Sequence, residues 1–313
     1  HPDTALVIAE DVRAALAMAA ALFFGVQPAT MVAVTGTNGK TSVASFTRQL
    51  WVAQGLAAIN IGTTGVEGAW GQPLTHTTPD AITLQTLLAQ AAAAGITHAA
   101  MEASSHGLDQ RRLDGVRLSA AAFTNLTQDH LDYHPTMEEY FRAKSGLFTR
   151  LLPEDSVAVI NTDDPYGARL AASVAQPVVS VGTGADCDLR ILAQRYHAQG
   201  QTLRFALKGR AHQVDLGLVG GFQAANALVA LGLVLATGGD PDEAVLAMET
   251  LQGVRGRMQL AATRGNGAPV FVDYAHTPAA VETALQALRP HVLGRLIVVL
   301  GAGGDRDRGK RPL

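Results

Sequence analysis

The most informative segment of the chain is Met31-Val32-Ala33-Val34-Thr35-Gly36-Thr37-Asn38-Gly39-Lys40-Thr41-Ser42. Its first five residues are mostly apolar and partly β-branched, which predicts a buried strand, and the turn at 36–39 leads into a helix predicted over 40–53. The backbone N–H groups of such a turn, together with the helix N-terminus, bind phosphate. The segment therefore predicts a nucleotide site in which Lys40 reaches the β- and γ-phosphates and the Thr41 hydroxyl ligates Mg²⁺.

This phosphate-binding pattern is a shortened one. The pattern G-x-x-x-x-G-K-[ST] has its first glycine five residues before the second, and Val34 occupies that position here. What remains is Gly-Thr-Asn-Gly-Lys-Thr over residues 36–41. A purely structural strand-to-helix turn is the alternative, but Gly-Lys-Thr directly after an apolar strand favours phosphate binding.

Outward from this segment, predicted strands and helices alternate, which predicts an α/β fold with a mostly parallel sheet and helices on both faces. From Asp186 onward, polar and glycine-containing turns separate three short segments, which predicts an antiparallel meander added to that sheet. The predicted strands lie near 31–35, 57–61, 97–102, 118–124, 156–161 and 178–182, the meander at 187–197, 201–208 and 211–219, and the helices near 40–53, 81–94, 137–151, 163–174, 221–237 and 241–251.

The two ends of the chain are expected to belong to further domains. A strand at 5–9 and an Ala-rich helix at 11–24 precede the phosphate-binding segment, and the apolar run within that helix is too short to cross a bilayer, so a packed helix is expected. After a hinge at 253–257, a strand at 270–274, a helix at 278–288 and a strand at 295–300 predict the start of a Rossmann-like α/β domain. The predicted division is a remnant of an N-terminal domain at 1–28, a P-loop central domain at 29–255 and a truncated C-terminal domain at 256–313.

Composition limits the classes of function. A chain of 313 residues can bury more than one core, and its formal net charge of −3 gives no reason to expect nucleic acid or an anionic membrane as a partner. The single cysteine, Cys187, excludes an internal disulfide and fits a reducing compartment such as the cytoplasm.

Polar residues follow two of the predicted strands at their carboxyl ends, where parallel sheets bind ligands. Glu102 ends one strand, which places it for Mg²⁺ beside the phosphate-binding turn; a residue that only caps the next turn is the alternative. The next strand leads into a cluster with two histidines and two aspartates at 129–134. Because no cysteine joins this cluster, a structural zinc site is improbable, and we expect one residue, His130, to complete a Mg²⁺ shell. Solvation of the whole cluster at the surface remains the alternative.

Two further features carry charge. Taken alone, Lys144 is typical of a solvated lysine on the helix that follows the polar cluster. The loop at 301–312 combines glycines with four cationic residues, which predicts binding of phosphate or carboxylate groups. A solvated run of charge is the alternative for that loop.

Six separated motifs resemble those of the Mur ligases, in the same order and spacing. The resemblance is greatest to members that add the third residue of the peptidoglycan stem peptide. It implies an ATP- and Mg²⁺-dependent amide ligase that phosphorylates the free carboxylate of UDP-N-acetylmuramoyl-L-Ala-D-Glu and joins it to the amine of a diamino acid. The motifs are Gly36-Thr37-Asn38-Gly39-Lys40-Thr41, 101–107, 124–126 with 129–134, Gly256-Arg257-Met258, 273–278 and 303–307.

The resemblance also implies roles for individual residues. It reverses the first interpretation of Lys144, because the matching lysine of the family is a carbamate that can bind a second Mg²⁺. Lys40, Lys144 and His130 are implied in catalysis. The implied ATP contacts are Gly36, Thr37, Asn38, Gly39, Lys40, Thr41, Ser42, Asn226, Arg257, Asp273 and His276; the Mg²⁺ ligands are Thr41, Glu102, His130 and the Lys144 carbamate; the UDP-muramoyl contacts are Thr77, Thr78, Ser104, Gln110 and Arg112; and Arg306 meets the incoming amino acid.

Several alternatives stay open at this point. The third residue is expected to be meso-diaminopimelate, the commoner substrate of the family, with L-lysine as the alternative. A related ligase such as folylpolyglutamate synthetase, or a P-loop nucleotide-binding module without enzymatic activity, is also possible. We further expect a monomer, and a chain that ligates poorly by itself because part of the acceptor site lies beyond Leu313.

Overall fold

The computed structural model describes residues 6–129, 133–275 and 278–301. Its helices are α1 (Val12–Phe24), α2 (Lys40–Ala53), α3 (Ala81–Ala93), α4 (Ser105–Asp109), α5 (Met137–Gly146) with a π-helical turn at Leu147–Leu151, α6 (Pro165–Ala171), α7 (Phe222–Ala236), α8 (Pro241–Ala247) and α9 (Pro278–Leu288), with 3₁₀ turns at Met248–Thr250 and Arg289–His291. Its strands are β1 (Thr30–Thr35), β2 (Ala58–Gly62), β3 (Gly65–Gly68), β4 (His98–Glu102), β5 (Ala120–Phe123), β6 (Val157–Asn161), β7 (Val178–Gly182), β8 (Leu189–His197), β9 (Gly200–Leu207), β10 (Arg210–Leu216), β11 (Gln259–Thr263) and β12 (Pro269–Val272).

Ten strands form one sheet in the order β10-β9-β8-β7-β6-β5-β1-β4-β2-β3. The strands from β2 and β4 through β1, β5, β6 and β7 to β8 pair in parallel, whereas β8-β9-β10 and β2-β3 pair antiparallel. The predicted α/β fold with a meander is therefore confirmed. Since β1 lies between β4 and β5, the carboxyl ends of these three strands meet at one edge of the sheet.

Side chains of β1 alternate between two cores, as the pleat of a strand requires. Val32 and Val34 pack on one face with residues of α2 and α7, and Met31 and Ala33 pack on the other with residues of α3 and α5. All four are completely buried. β1 is thus fixed from both sides, and the loop that follows it starts from a rigid position.

Some predicted elements differ from the structure. Residues 6–9 and 295–300 are not in strands, because no described strand lies beside them to complete a hydrogen-bonded ladder. Helix α1 lies against α3, but it is less packed than predicted, since it buries only Ala17 and Ala20. The short elements β3, α4 and β11 were not predicted, and the helix predicted over 137–151 changes to a π-helical turn after Gly146.

Within the described residues, none of the helices combines the length and the apolar character that crossing a membrane requires.

Gln49 of α2 fixes the start of the segment that leads to β11. Its side-chain amide donates to the backbone oxygen of Gln252 at 3.1 Å and accepts from the backbone N–H of Gln252 at 2.8 Å. Beyond this pair of hydrogen bonds, Gly256 and Met258 have positive φ values of 70° and 48°. We propose that the boundary expected at 255/256 is the hinge that these residues form.

Candidate active site

Residues 36–39, which we call the phosphate loop, connect β1 to α2 with backbone angles that require glycine. Gly36 has φ of 146°, and Gly39 precedes α2 with φ of 88°. A Cβ atom on Gly36 would lie 1.9 Å from Thr124 Oγ1, and one on Gly39 would lie 2.5 Å from Asn226 Oδ1. The two glycines therefore let Thr124 and Asn226 approach the loop closely at the N-terminus of α2, a position where anions bind.

Residues 124–127, which follow β5, form hydrogen bonds with the phosphate loop. Thr124 Oγ1 donates to Asn38 O at 2.6 Å, and the Asn38 N–H donates to Asn125 Oδ1 at 3.0 Å. The Thr37 N–H donates to Asn125 O at 2.9 Å. The loop is therefore shaped by a neighbouring strand end as well as by its own glycines.

Two lysine side chains meet at this loop. Lys40 Nζ donates to the backbone oxygens of Gly36 and Thr37 at 2.9 and 2.8 Å, and Lys144 Nζ donates to the same Gly36 oxygen at 2.7 Å. Lys144 is 1% exposed, and its Nζ lies over the Tyr140 ring, 4.5 Å from the ring centroid. The first interpretation of Lys144 as a solvated lysine is wrong, because it lies on the face of α5 that packs towards the phosphate loop.

Burial and proximity change the acid–base behaviour of both amines. The pKa of Lys144 is held well below its usual value, mainly by burial and further by the positive charge of Lys40, while Asp129 opposes the shift. The pKa of Lys40 is also lowered, first by burial, with Glu102 and Asp129 acting in the opposite direction to Arg257. The environment of Lys144 thus favours a neutral amine, which is nucleophilic, over an ammonium ion.

Glu102 lies at the end of β4, beside the start of α2, as the parallel sheet predicts. It is 2% exposed, and its Oε2 accepts a hydrogen bond from Thr41 Oγ1 at 3.1 Å. Its Oε1 accepts from the Thr63 N–H at 2.7 Å. Gly62 leaves room for this carboxylate, because a Cβ there would lie 2.1 Å from Glu102 Oε1.

Thr41 and Glu102 fit the requirements of Mg²⁺. A carboxylate and a hydroxyl are hard oxygen ligands, and Mg²⁺ takes one or two protein ligands together with water and phosphate oxygens. Within the described residues, no group of three or more His, Cys, Asp or Glu side chains could hold a metal ion alone. Water and the phosphate oxygens of a bound nucleotide would be further ligands of a cation at this position.

The residues implied in UDP-muramoyl binding form one hydrogen-bonded group beside Glu102. Thr78 Oγ1 donates to Glu102 O at 2.9 Å and accepts from the Ser104 N–H at 3.0 Å. Arg112 donates to Thr78 O at 2.6 Å and to Gln110 Oε1 at 2.7 and 3.1 Å. Thr77 joins this group through Thr63, at 3.0 Å between the two hydroxyl oxygens.

The Ser104 hydroxyl oxygen already has a hydrogen-bond partner within the protein. It caps α4 by accepting from the Gly107 N–H at 3.0 Å.

The residues implied in nucleotide binding near the hinge have different surroundings. Asn226 lies in α7 next to Gly39, and Arg257 Nη2 lies 3.4 Å from Thr41 Oγ1 while its guanidinium lies over the Tyr274 ring. The Asp273 carboxylate accepts from the Met258 and Ala275 N–H groups, both at 2.8 Å. Asn226 and Arg257 therefore flank the phosphate loop, whereas Asp273 fixes the hinge backbone.

Some predicted site residues cannot be placed in this geometry. His130, His276 and Arg306 lie outside the described residues. Ser42 lies in the first turn of α2 and is 4% exposed, next to Thr41.

Sequence reasoning assigned no role to Thr63 or Tyr140. Thr63 lies in the turn between β2 and β3, and the Gly62-Thr63-Thr64-Gly65 pattern of that turn was the available signal. Tyr140 is completely buried, and its hydroxyl lies 3.3 Å from Thr37 Oγ1. Its position four residues before Lys144 places both on one helix face.

Sequence relatives support the resemblance seen in the motifs. UDP-N-acetylmuramoyl-L-alanyl-D-glutamate–2,6-diaminopimelate ligases from Mesorhizobium japonicum and Caulobacter vibrioides are both 51% identical to this chain. The Mesorhizobium alignment covers 97% of this chain and 63% of the relative, and the Caulobacter alignment covers 98% and 65%. The chain thus spans slightly less than two thirds of the length of these relatives.

Solved structures show the same fold. A UDP-N-acetylmuramoyl-L-alanyl-D-glutamate–2,6-diaminopimelate ligase superposes with a TM-score of 0.81 at 36% identity, covering 98% of this chain and 64% of that protein. A Mycobacterium tuberculosis folylpolyglutamate synthase complexed with ADP has a TM-score of 0.71 at 21% identity, covering 88% of this chain and 69% of that protein. At that identity the second likeness shows the fold alone.

Models of two protein-family domains together match most of the chain. The Mur ligase middle domain matches residues 34–234, which is well over half of the sequence, and the Mur ligase glutamate ligase domain matches residues 256–313. The first match contains the phosphate loop, Glu102 and Lys144. The chain therefore belongs to the Mur ligase family.

Proposed function

We propose that the chain forms the central part of an ATP-dependent ligase that joins meso-diaminopimelate to UDP-N-acetylmuramoyl-L-Ala-D-Glu in peptidoglycan synthesis. The observation that supports this most directly is the grouping of Lys40, Thr41, Glu102 and Lys144 around the phosphate loop. A nucleotide-binding module needs the first two residues, but it has no use for a buried lysine next to them. The names of the relatives favour diaminopimelate over L-lysine as the third residue.

ATP would bind with its phosphates on the phosphate loop and the α2 N-terminus. Lys40 now donates to two carbonyl oxygens of its own loop, so it must exchange these partners for phosphate oxygens when the nucleotide binds. Asn226 and Arg257 flank the loop and would contact the nucleotide, and His276 is proposed as a further nucleotide contact. These cationic and amide groups compensate the repulsion between the acceptor carboxylate and the γ-phosphate.

Thr41 and Glu102 would hold a Mg²⁺ ion, with His130 as a further ligand. When bound, Mg²⁺ supplies positive charge that lets the carboxylate approach the γ-phosphate. The buried amine of Lys144 adds CO₂ to become a carbamate, with release of one proton. This change converts a neutral amine into an anionic oxygen ligand, which a second Mg²⁺ requires.

The acceptor would lie against the group formed by Thr77, Thr78, Gln110 and Arg112, with Ser104 at its edge. The Arg112 guanidinium supplies the positive charge that an anionic acceptor requires. Arg306 would meet the incoming diamino acid. We propose that the protein acts as a monomer in the cytoplasm, a reducing compartment that its single cysteine fits.

The experiment that tests this function measures ADP release with a panel of acceptors and amino acids. This chain replaces the matching segment of the Mesorhizobium ligase, so that the regions outside the match are present. We expect ADP release that requires both UDP-N-acetylmuramoyl-L-Ala-D-Glu and diaminopimelate. ADP release with L-lysine only, with a folate acceptor, or without any acceptor would contradict the proposal.

A further inference from the structure

We propose that Thr63 is a positioning residue that couples the cation site at Glu102 to acceptor binding at Thr77. The inference rests on the proposed function, since it assigns Glu102 to Mg²⁺ and Thr77 to the UDP-muramoyl acceptor. Thr63 is the residue in the turn between β2 and β3 that contacts both. Thr63 is an exposed residue, whereas Glu102 is 2% exposed.

Two kinds of contact join Thr63 to Glu102. The Thr63 N–H donates to Oε1 at 2.7 Å, which fixes the orientation of the carboxylate. The Thr63 hydroxyl oxygen lies 3.4 Å from Oε2, the same oxygen that accepts from the Thr41 hydroxyl at 3.1 Å. The oxygen that would face a cation is therefore the one that Thr63 approaches with its side chain.

The hydroxyl contact with Thr77 is the shorter one, at 3.0 Å between the two oxygens. A hydroxyl has one proton to donate, so Thr63 can donate either to Glu102 or to Thr77, but not fully to both. If Thr63 donates to Glu102, Thr77 must donate its own proton to Thr63. If Thr63 donates to Thr77, the Thr77 proton is available for another acceptor.

A cation on Glu102 Oε2 repels the hydroxyl proton, and this selects the second arrangement. Thr63 then donates to Thr77, and Thr77 can donate to an oxygen of the anionic acceptor. Cation binding and acceptor binding thus favour each other through one rotating O–H group. Because such coupling is reciprocal, each ligand raises the affinity for the other by the same factor.

The turn is rigid enough for this role. β2 and β3 pair on either side of it, and Gly65 closes it with φ of 99°. A Cβ on Gly62 would lie 2.1 Å from Glu102 Oε1, so the carboxylate lies directly against the turn. The neighbouring Thr64 hydroxyl is buried and has no hydrogen-bond partner among the described residues, which makes Thr64 a matched control.

The test uses Thr63→Val, which keeps the backbone N–H and the shape of the side chain but removes the hydroxyl. Thr63→Ser keeps the hydroxyl, and Thr64→Val removes the adjacent one. Acceptor affinity is measured by calorimetry on the Mesorhizobium chimera at several Mg²⁺ concentrations, with a non-hydrolysable ATP analogue. Mn²⁺ binding with the same analogue is followed by electron paramagnetic resonance.

We expect Mg²⁺ to raise acceptor affinity about 5-fold or more in the parent chimera, in Thr63→Ser and in Thr64→Val, and by much less in Thr63→Val. In Thr63→Val, the affinity for Mn²⁺ should likewise no longer depend on the acceptor. Adding Thr77→Val to Thr63→Val should cause no further loss of coupling between the two ligands. Equal coupling in Thr63→Val and the parent would overturn the inference while leaving the proposed function intact. A parent chimera that binds no acceptor would overturn the proposed function and the inference with it.

Discussion

Lys40 and Lys144 donate their side-chain amines to one backbone oxygen, that of Gly36, at 2.9 and 2.7 Å. The two residues are far apart in the sequence, on helices α2 and α5 that pack on opposite faces of the sheet, yet both amines reach the phosphate loop. Burial lowers the pKa of both amines; the charge of Lys40 lowers the pKa of Lys144 further, and Arg257 lowers that of Lys40. The arrangement supports different roles for the two lysines: Lys40 would bind phosphate, and Lys144 would carry the carbamate.

Lys144→Ala is expected to abolish ligation in the Mesorhizobium chimera, and Lys144→Glu is expected to keep more activity, because glutamate restores an anion near the cation site. Incubation with ¹³C-labelled bicarbonate should give a carbamate signal in the NMR spectrum of the parent. Lys208→Asn, a change at an exposed lysine, should keep both the signal and the activity. Equal activity of Lys144→Ala, Lys144→Glu and the parent would argue against the carbamate.

Stability should depend on pH through Lys144. Its pKa is lower in the folded chain than the ordinary 10.5, so between these two values the unfolded chain binds a proton that the folded chain lacks. The free energy of unfolding therefore rises with pH in that window, by up to about 1.4 kcal/mol per pH unit for this group.

Lys144→Met should remove this contribution, as measured by urea unfolding between pH 7 and 9 in CO₂-free buffer. Lys40 contributes in the same direction and remains, so the slope should become smaller without reaching zero. Lys208→Asn serves as the control. An unchanged slope in Lys144→Met would show that Lys144 carries its charge in the folded chain at neutral pH.

Glu102→Gln should raise the Mg²⁺ concentration needed for nucleotide binding about tenfold or more, because the amide keeps the shape and the acceptor oxygen for Thr63 but loses the negative charge. The measurement is a Mg²⁺ titration of binding of a fluorescent ATP analogue. Glu138→Gln, at an exposed residue paired with Arg169, is the matched control and should leave the titration unchanged. The same titration for Glu102→Gln and the parent would remove Glu102 from the cation site.

Gly39→Ala should abolish nucleotide binding, since the added Cβ would lie 2.5 Å from Asn226 Oδ1 and the backbone has φ of 88°. Gly55→Ala provides the control: Gly55 follows α2 with φ of 77°, and a Cβ there meets nothing within 4 Å. Both changes should cost about 1–2 kcal/mol of stability from the left-handed backbone alone. If Gly55→Ala weakened nucleotide binding as much as Gly39→Ala, the effect would come from stability and not from the loop.

Much of the sheet could be predicted because apolar runs and glycine-containing turns have strong local signals. The contact between Thr41 and Glu102 follows from the same logic, since Thr41 lies in the first turn of the helix that follows β1 and Glu102 ends the neighbouring parallel strand β4. The burial of Lys144 could not be read from local sequence, because a lysine on a helix is buried only when the packing of that helix is known. Only the resemblance to the Mur ligase motifs predicted a role for Lys144 in metal binding.

The two wrong strand predictions have a common cause. Residues 6–9 and 295–300 have the apolar composition of strands, but a strand exists only with a partner beside it. The turn that contains Thr63 was missed for the opposite reason, since its importance depends on contacts with Glu102 and Thr77 from distant parts of the chain. Local composition predicts elements, and it does not predict which side chains meet.

The hydrogen bonds between the phosphate loop and the side chains of Thr124 and Asn125 explain how a nucleotide site tolerates Val34 where the longer pattern has glycine. The conformation of residues 36–39 depends on two separate segments of the chain. Residues 36–41 transplanted alone into another strand–helix unit would therefore lack the hydrogen bonds that residues 124–127 supply. A graft that also carried residues 124–127 on an adjacent parallel strand should bind phosphate. Searches for such sites should accordingly look for a pair of segments and not for one motif.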